Sequence, residues 1–156
     1  MKSVSSERAE SLGIKAVHHE MDNGEKRFRL VGSDGSSYIR TESAADGAWQ
    51  NSHFHERVQE IYIVEKGWIA YAELTNEQEF MLRLLTKGES VHVPPKRPHN
   101  IYMPPDSVTH VVKFGGNPQI DPDWFAATEL DRLTLNLNER ELRERLEAKR
   151  EEGASK

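Results

Sequence analysis

The spacing of three histidines and one glutamate restricts the folds open to this 156-residue chain. His53 and His55 are two residues apart, so on a β-strand both side chains point to one face. Glu60 and His99 follow, and imidazole and carboxylate groups are ligands for Fe, Mn, Ni or Zn rather than for Ca²⁺ or Cu(I). If the four side chains converge, they can hold a divalent transition metal. A six-coordinate ion would keep positions open for water or substrate.

Glycine and short alternating segments surround these side chains. Gly67 and Gly88 lie where the chain can turn between strands. Earlier, Asn23-Gly24 is the usual two-residue corner of a β-hairpin, and residues 27–31 alternate so that Phe28 and Leu30 share one face. Short strands separated by turn signals are typical of an all-β sandwich or barrel.

The two halves of this region resemble the two sequence motifs of the cupin superfamily. The first is Gly47-x5-His53-x-His55-x4-Glu60-x6-Gly67, and the second is Gly88-x5-Pro94-x-Lys96-x2-His99-x3-Met103. The resemblance implies an all-β fold, a double-stranded β-helix or jelly-roll barrel, here followed by short C-terminal helices. It also implies that the metal ligands are His53, His55, Glu60 and His99. The identity of the metal, Fe, Mn, Ni or Zn, stays open.

Two positions depart from the family pattern, and neither is a ligand. Lys96 stands where the family usually has glycine, so this turn either does not need a positive φ or adopts one with strain. Met103 stands where the family usually has asparagine, which indicates more apolar surroundings for the ligands.

The chain divides into three parts on composition. Residues 1–12 read as a flexible lead, residues 13–118 as the cupin β-barrel, and residues 119–156 as a C-terminal helical extension. In the extension, Asp121 followed by Pro122 predicts a helix start, with aspartate as N-cap and proline at the first helical position. Asn138 and Glu141 have the spacing of a capping box, which predicts a second helix.

Two side chains are candidates for proton transfer beside the metal. Tyr62 follows Glu60 on the same strand face, and His110 has an ordinary pKa near neutrality. The sequence allows either face of the strand that begins at Val108 to point inward. One turns His110 inward with its apolar neighbours, and the other turns Thr109, Val111 and Lys113 inward. A tyrosine with a satisfied hydroxyl in the core is the alternative interpretation of Tyr62.

Three further side chains are candidate substrate contacts. Tyr102 could extend a polar-aromatic cavity, and Arg83 lies among apolar residues of a predicted strand. Lys96 lies in the proline-rich turn at the expected mouth. Arg83 and Lys96 are suited to a substrate anion, although exposed charges of this kind are also common as plain solvated surface.

The expected function is a metal-dependent enzyme on a small oxygenated substrate, of the sugar or keto-acid type, with isomerase or epimerase chemistry. Both this chemistry and Fe(II)-dependent dioxygenase chemistry occur among the proteins that the chain resembles, as do non-catalytic small-ligand binders. The sequence leaves all three open, because substrate-contacting residues come from scattered strand positions without fixed spacing.

Composition narrows the expected partners and location. A net charge of −5 argues against general binding of nucleic acid. No apolar run approaches the ~20 residues of a membrane span. The first residues lack the apolar stretch of a secretory signal, so we expect a cytoplasmic protein. Residues 61–64 place apolar side chains on both faces of a strand, and we expect a strand near Ile14 at a sheet edge. Together these features favour a homodimer.

Overall fold

Twelve strands and three helices make up the part of the chain described by the computed structural model, which is residues 1–117, 119 and 122–155. The first antiparallel sheet has the order β1-β2-β3-β11-β6-β9. Its strands are β1 (Ile14–Glu20), β2 (Lys26–Gly32), β3 (Ser37–Glu42), β6 (Gln59–Lys66), β9 (Ser90–Val93) and β11 (Val108–Phe114).

The second antiparallel sheet has the order β12-β5-β10-β7-β8, and β4 also pairs with β10. Its strands are β4 (Ala48–Trp49), β5 (His53–Phe54), β7 (Trp68–Leu74), β8 (Phe80–Thr86), β10 (His99–Met103) and β12 (Phe125–Ala126). The predicted all-β jelly-roll class is confirmed. Within the described residues, however, the two sheets form an open sandwich and are not hydrogen-bonded into a closed barrel.

The main core lies between the two sheets. Alternating residues of both inner faces meet there, as period-2 strands require. Val64 and Val111 from the first sheet pack in one cluster with Ile69, Tyr71 and Ile101 from the second. Tyr62 and Tyr71 of this core lie next to His99, with ring centroids 5.9 and 6.3 Å from that of the histidine.

Two C-terminal helices cover the outer face of the second sheet. Helix α2 (Thr128–Thr134) buries Leu130 completely, and helix α3 (Glu139–Ala154) buries Leu142 and Leu146. The predicted capping box of α3 is confirmed, with Asn138 and Glu141 each bonded to the other's backbone N–H. No helix in the described residues has the length and apolarity that crossing a bilayer requires.

The structure adds detail at both ends of the chain. Residues 1–12, predicted to be a flexible lead, contain helix α1 (Ser6–Ser11), which buries no residue, and their flexibility stays a prediction. The helix start predicted at Asp121 lies outside the described residues, and Pro122–Trp124 are not helical. The next helix begins only at Thr128, because residues 125 and 126 pair with β5 as a strand.

Positive φ angles mark the turns of both motifs. Gly47 has φ +68°, and a Cβ there would lie 2.8 Å from the Tyr102 hydroxyl and 2.9 Å from Pro105 Cδ, so only glycine fits. Lys96 has φ +62°, which decides the question left open by the sequence. This turn adopts the left-handed conformation despite its side chain, and its N–H donates to the His55 carbonyl at 2.6 Å.

Candidate metal centre

Three of the four predicted ligands form one compact buried group. His53 comes from β5 and His99 from β10, where the two are directly paired, while Glu60 comes from β6 of the opposite sheet. One candidate ligand atom from each lies within 4.8 Å of the others. Glu60 is 0% exposed and His99 1%, so their polar atoms have no access to bulk water. We call these three residues the ligand group.

Backbone carbonyls fix the orientation of three imidazole rings. A carbonyl oxygen can only accept, so the Nδ1 atoms of His53, His55 and His99 carry the proton and donate it. The acceptors are the carbonyl oxygens of Asn51 at 2.9 Å, of Asp123, and of Arg97 at 3.0 Å, respectively. In the neutral tautomer each Nε2 then carries a lone pair, which is the form that binds metals.

Unsatisfied lone pairs converge inside the ligand group. Glu60 Oε2 lies 2.6 Å from His99 Nε2 and 3.9 Å from His53 Nε2. Neither Glu60 Oε2 nor His53 Nε2 has a hydrogen-bond partner. Two lone pairs 2.6 Å apart repel each other unless a proton or a cation lies between them. Buried polar atoms in this state are rare, so the donor set fits a transition metal.

His55, the fourth predicted ligand, stands beside this group rather than within it. Its Nε2 is 3.4 Å from Glu60 Oε2 and 3.4 Å from the ammonium of Lys113. The ring is buried and is directed inward by the Asp123 carbonyl. His55 is therefore oriented toward the ligand group, but its Nε2 also contacts the Lys113 ammonium.

Lys113 gives the two oxygens of the Glu60 carboxylate different surroundings. Its ammonium lies 2.6 Å from Oε1, which leaves Oε2 facing the histidines. Burial raises the pKa of Glu60, but Lys113 and the nearby His55 and His99 outweigh burial and hold it well below its ordinary value. Glu60 is therefore an anion in the native protein.

The same burial keeps His53 neutral. Burial lowers the pKa of His53 to about 3, with a further lowering from His99, and the attraction of Glu60 only partly opposes this. At neutral pH His53 is then a lone-pair donor and not a cation. This is the protonation state that a metal ligand needs.

Tyr62 lies next to the ligand group, as the sequence predicted. Its hydroxyl is 3.4 Å from His99 Nε2 and 3.5 Å from Glu60 Oε1, which are long contacts. Burial, and then the Glu60 charge, raise the pKa of Tyr62 well above its ordinary value. The phenol therefore stays protonated and can donate a proton or a hydrogen bond, but cannot act as a phenolate base.

His110 is not in the cavity, which corrects its candidacy as the base. Strand β11 has the register in which Thr109, Val111 and Lys113 face inward. His110 lies on the outer face, where Nε2 is 2.5 Å from Glu65 and Nδ1 is 2.7 Å from the Tyr38 hydroxyl. Both registers place apolar residues inward, so the sequence alone could not decide between them.

The three predicted substrate contacts also lie away from the ligand group. Tyr102 is on the outer face of the second sheet, under α3, and its hydroxyl donates to Glu139 at 2.5 Å. Lys96 is exposed, with its ammonium 3.6 Å from Glu56. Arg83 is exposed on edge strand β8, opposite Tyr71. In the described chain no hydrogen bond or ion pair joins these three to the ligand group.

Comparison with known proteins gives structural matches only. No protein-family model matches the chain, and no curated protein matches it in sequence. KdgF from Halomonas sp. matches at 19% identity and TM-score 0.53, over 65% of this chain and 87% of that one. An oxalate oxidase bound to the substrate analogue glycolate matches at 25% identity and TM-score 0.53, over 67% and 57%.

A third structure, the Lactobacillus farciminis oxalate decarboxylase–formate complex, matches at 15% identity and TM-score 0.58, over 74% of this chain and 35% of that one. The chain has a cupin fold. The predicted superfamily is thereby confirmed. Because this cupin spans only part of the two oxalate enzymes, their whole activities do not transfer with the fold.

This cupin has a cavity of about 190 Å³ beside the ligand group, and most of its polar lining was not predicted. His53 and Tyr62 form one wall. The other polar or aromatic lining residues include Arg27, Arg29, Gln50, Lys113 and Trp124. The indole of Trp124 stacks on the His53 ring with centroids 5.5 Å apart. No motif spacing marks these residues. The only sequence signal was alternation in β2, which sets its arginines opposite Phe28 and Leu30.

Proposed function

We propose that this cupin is a metal-dependent enzyme acting on a small oxygenated substrate, with isomerase or epimerase chemistry. The observation that carries the proposal is the 2.6 Å separation of Glu60 Oε2 and His99 Nε2, next to the unpartnered His53 Nε2. A cation bound between these buried atoms would satisfy their lone pairs. The adjoining cavity gives a small molecule access to the same place.

His53, Glu60 and His99 would hold the metal, with His55 as the fourth side chain turned toward it. A divalent metal here supplies Lewis acidity toward a carbonyl or diol oxygen. Tyr62 contributes a protonated hydroxyl at the edge of the ligand group, suited to donate to a developing oxyanion. Trp124 and the core between the sheets limit access of water.

The test is turnover of ketoses and sugar phosphates by the Mn- or Ni-loaded protein without oxygen. We expect interconversion of carbonyl isomers, lost in a Glu60→Gln variant. Activity that appears only when Fe(II) and oxygen are supplied would reject the isomerase proposal. Ligand binding without turnover, and with little loss on Glu60→Gln, would indicate a non-catalytic binder.

One observation favours an Fe(II)-dependent dioxygenase as the second candidate. The ligand group consists of two histidines and one carboxylate, and this combination with open positions is typical of non-haem Fe(II) oxygenases. The oxalate oxidase match, by its name, is an oxygen-using enzyme on a small acid. Uptake of oxygen with candidate substrates separates this candidate from the isomerase.

We also propose that the outer face of the first sheet binds a second copy of the chain. The C-terminal helices α2 and α3 pack on the second sheet, while Leu30, Tyr38 and Val112 stay exposed in one row across β2, β3 and β11. Arg40 and Glu65 lie on the same face, so it offers both charge signs to its own symmetry mate. An apolar face with internal charge complementarity suits a two-fold interface.

A further inference from the structure

We propose that the cavity beside the ligand group recognises the carboxylate of a small organic acid through the guanidinium of Arg29. This inference rests on the proposed function for its catalytic meaning and narrows the substrate class from sugars or keto acids to carboxylate-bearing molecules. It assigns the anion contact to a side chain that the sequence did not single out, and not to Arg83 or Lys96.

Strand pairing puts Arg29 on the inner face of the first sheet. Arg29 pairs with Ile39, Ile39 with Val111, and Val111 with Tyr62, so the four side chains form one row across β2, β3, β11 and β6. Arg29, Tyr62 and His53 line the same cavity. A ligand that Arg29 holds in this cavity would share it with His53 of the ligand group.

The other cations of the cavity already have carboxylate partners. Arg27 Nε lies 2.5 Å from the buried Glu25, and the Lys113 ammonium lies 2.6 Å from Glu60. In the described chain, no carboxylate lies within ion-pair distance of Arg29. Its contact there is with the neutral acceptor His19 Nδ1, 2.5 Å from Nη1. Among the described residues, Arg29 is thus the cavity cation that has no carboxylate within ion-pair distance.

That charge is partly withdrawn from water. Arg29 is half-buried, and burial, with the repulsion of Arg27, lowers its pKa from the ordinary value. A guanidinium carries five N–H donors, and the His19 contact uses a single nitrogen. A desolvated cation with free donors is costly unless an anion pairs with it. A ligand anion would supply the missing partner.

The shape of the guanidinium favours a carboxylate. The planar guanidinium fork matches a carboxylate with two parallel hydrogen bonds. Arg29, Lys113 and Trp124 line both this cavity of about 190 Å³ and a neighbouring one of about 430 Å³, so the space beside Arg29 has room for a small organic acid. The aromatic faces of Tyr62 and Trp124 would contact the carbon skeleton.

The experiment is calorimetric titration with three probes, on both the Mn(II)-loaded and the metal-free protein. The probes are pyruvate, the neutral dihydroxyacetone with the same number of heavy atoms, and inorganic phosphate. We expect pyruvate to bind more tightly than the other two. Arg29→Gln should weaken pyruvate binding by about tenfold or more in both forms of the protein, because a charge-assisted bidentate contact is lost.

Two variants control for indirect effects. Arg40→Gln removes an arginine from the opposite face of the same sheet and should leave pyruvate binding unchanged. Arg29→Lys keeps the charge but loses the fork, so it should bind with intermediate affinity. If Arg29→Gln does not fold, as judged by circular dichroism, the comparison of Arg29→Lys with wild type carries the test.

Wild-type affinity for pyruvate in Arg29→Gln, or loss of affinity in Arg83→Gln instead, would overturn the inference. Equal binding of dihydroxyacetone, or tighter binding of phosphate, would overturn the carboxylate assignment. Failure of the proposed function looks different. Mn(II) would then not bind the wild-type protein at all, while Arg29-dependent pyruvate binding to the metal-free form would remain.

Discussion

At the scale of single residues, Glu60 connects the two halves of the candidate site. One oxygen accepts from Lys113 at 2.6 Å and the other faces the histidines. Because the ammonium holds Oε1, the carboxylate is positioned to offer Oε2 to a metal. Three histidines are fixed in the complementary way, since each Nδ1 donates to a backbone carbonyl. The geometry of the centre thus depends on groups outside the ligands themselves.

Replacing Tyr62 with phenylalanine separates proton donation from metal binding. The hydroxyl is only at long contact distance from the ligand group, so we expect Mn(II) affinity to change less than about twofold. Turnover should fall by about 10²-fold or more, because general acid catalysis commonly contributes this much. Steady-state kinetics with a ketose that the wild type converts measure turnover. A titration with Mn(II) measures metal affinity. Unchanged kcat would show that Tyr62 is a packing residue.

The neutral state of His53 makes the metal-free protein sensitive to acid. Its native pKa is about 3 and its ordinary value 6.5, so below pH 6.5 the unfolded chain takes up a proton that the folded chain does not. The free energy of unfolding should therefore fall as pH is lowered, by about 2 kcal/mol from His53 between pH 7 and 5. Glu60 adds little in this window, since its ordinary pKa of 4.5 lies below it and its folded-state pKa is lower still.

Urea unfolding of the metal-free protein at pH 7, 6 and 5 measures this dependence. The control is His53→Gln, which cannot be protonated and should show a smaller loss of stability over the same range. An identical pH dependence in the variant and the wild type would contradict the assigned protonation state of His53.

At the scale of elements, the segment before β12 joins the C-terminal part to the site. The Asp123 carboxylate accepts hydrogen bonds from the N–H groups of Glu56, Arg57 and Val58 at 2.7, 3.0 and 3.0 Å. Its carbonyl accepts from His55, and the next residue, Trp124, covers His53. Burial raises the pKa of Asp123, but these three donors outweigh it and lower the pKa below the ordinary value.

Asp123→Ala should release this segment. Three backbone donors lose their acceptor, so we expect a loss of about 1–3 kcal/mol in the free energy of unfolding. Trp124 should move off His53, which tryptophan fluorescence would detect. Asp22→Ala, at an exposed turn position, is the matched control and should change neither quantity. Wild-type stability and fluorescence in Asp123→Ala would contradict the anchoring role.

At the scale of the whole molecule, the uncovered face of the first sheet is expected to form a two-fold interface. Leu30 is 49% exposed on β2, the second strand from the edge of that sheet. Leu30→Glu would place a negative charge in the interface. The two copies of this glutamate would repel each other near the two-fold axis, so we expect a monomer. Light scattering after size-exclusion chromatography measures the mass. Leu135→Glu, at an exposed position between α2 and α3, should leave the oligomeric state unchanged.

A wild-type protein that is monomeric at high micromolar concentration would contradict the dimer. So would a Leu30→Glu variant with the mass of the wild type. The metal centre does not depend on this outcome, because all members of the ligand group come from one chain.

The sequence predicted those parts of the molecule that depend on local spacing. The turn glycines and the capping box at Asn138 depend on contacts within a few residues, and the structure has them as predicted. His53, Glu60 and His99 lie far apart in the chain, and the two motifs marked them before the fold brought them together. The facing of β11 was not predictable, since Val111 and Val112 give both faces apolar character.

The features that the sequence did not predict depend on long-range contacts. Asp123 lies in the segment predicted as a helix start, yet its partners are more than 60 residues away in the chain. Arg27 and Arg29 face inward while Phe28 and Leu30 face out, which reverses the usual hydrophobic order. Only the pairing of β2 with β3 determines this, and a charged inner face is itself a mark of a binding cavity.

The most direct test of the metal centre is equilibrium binding of Mn(II) or Zn(II) to the purified, chelator-treated protein, followed by elemental analysis. We expect one ion per chain in the wild type. In His53→Ala, Glu60→Gln and His99→Ala we expect bound metal to fall by tenfold or more at the same free concentration, since each variant removes a ligand. Wild-type stoichiometry and affinity in all three variants would show that the ion binds elsewhere and would contradict the central claim.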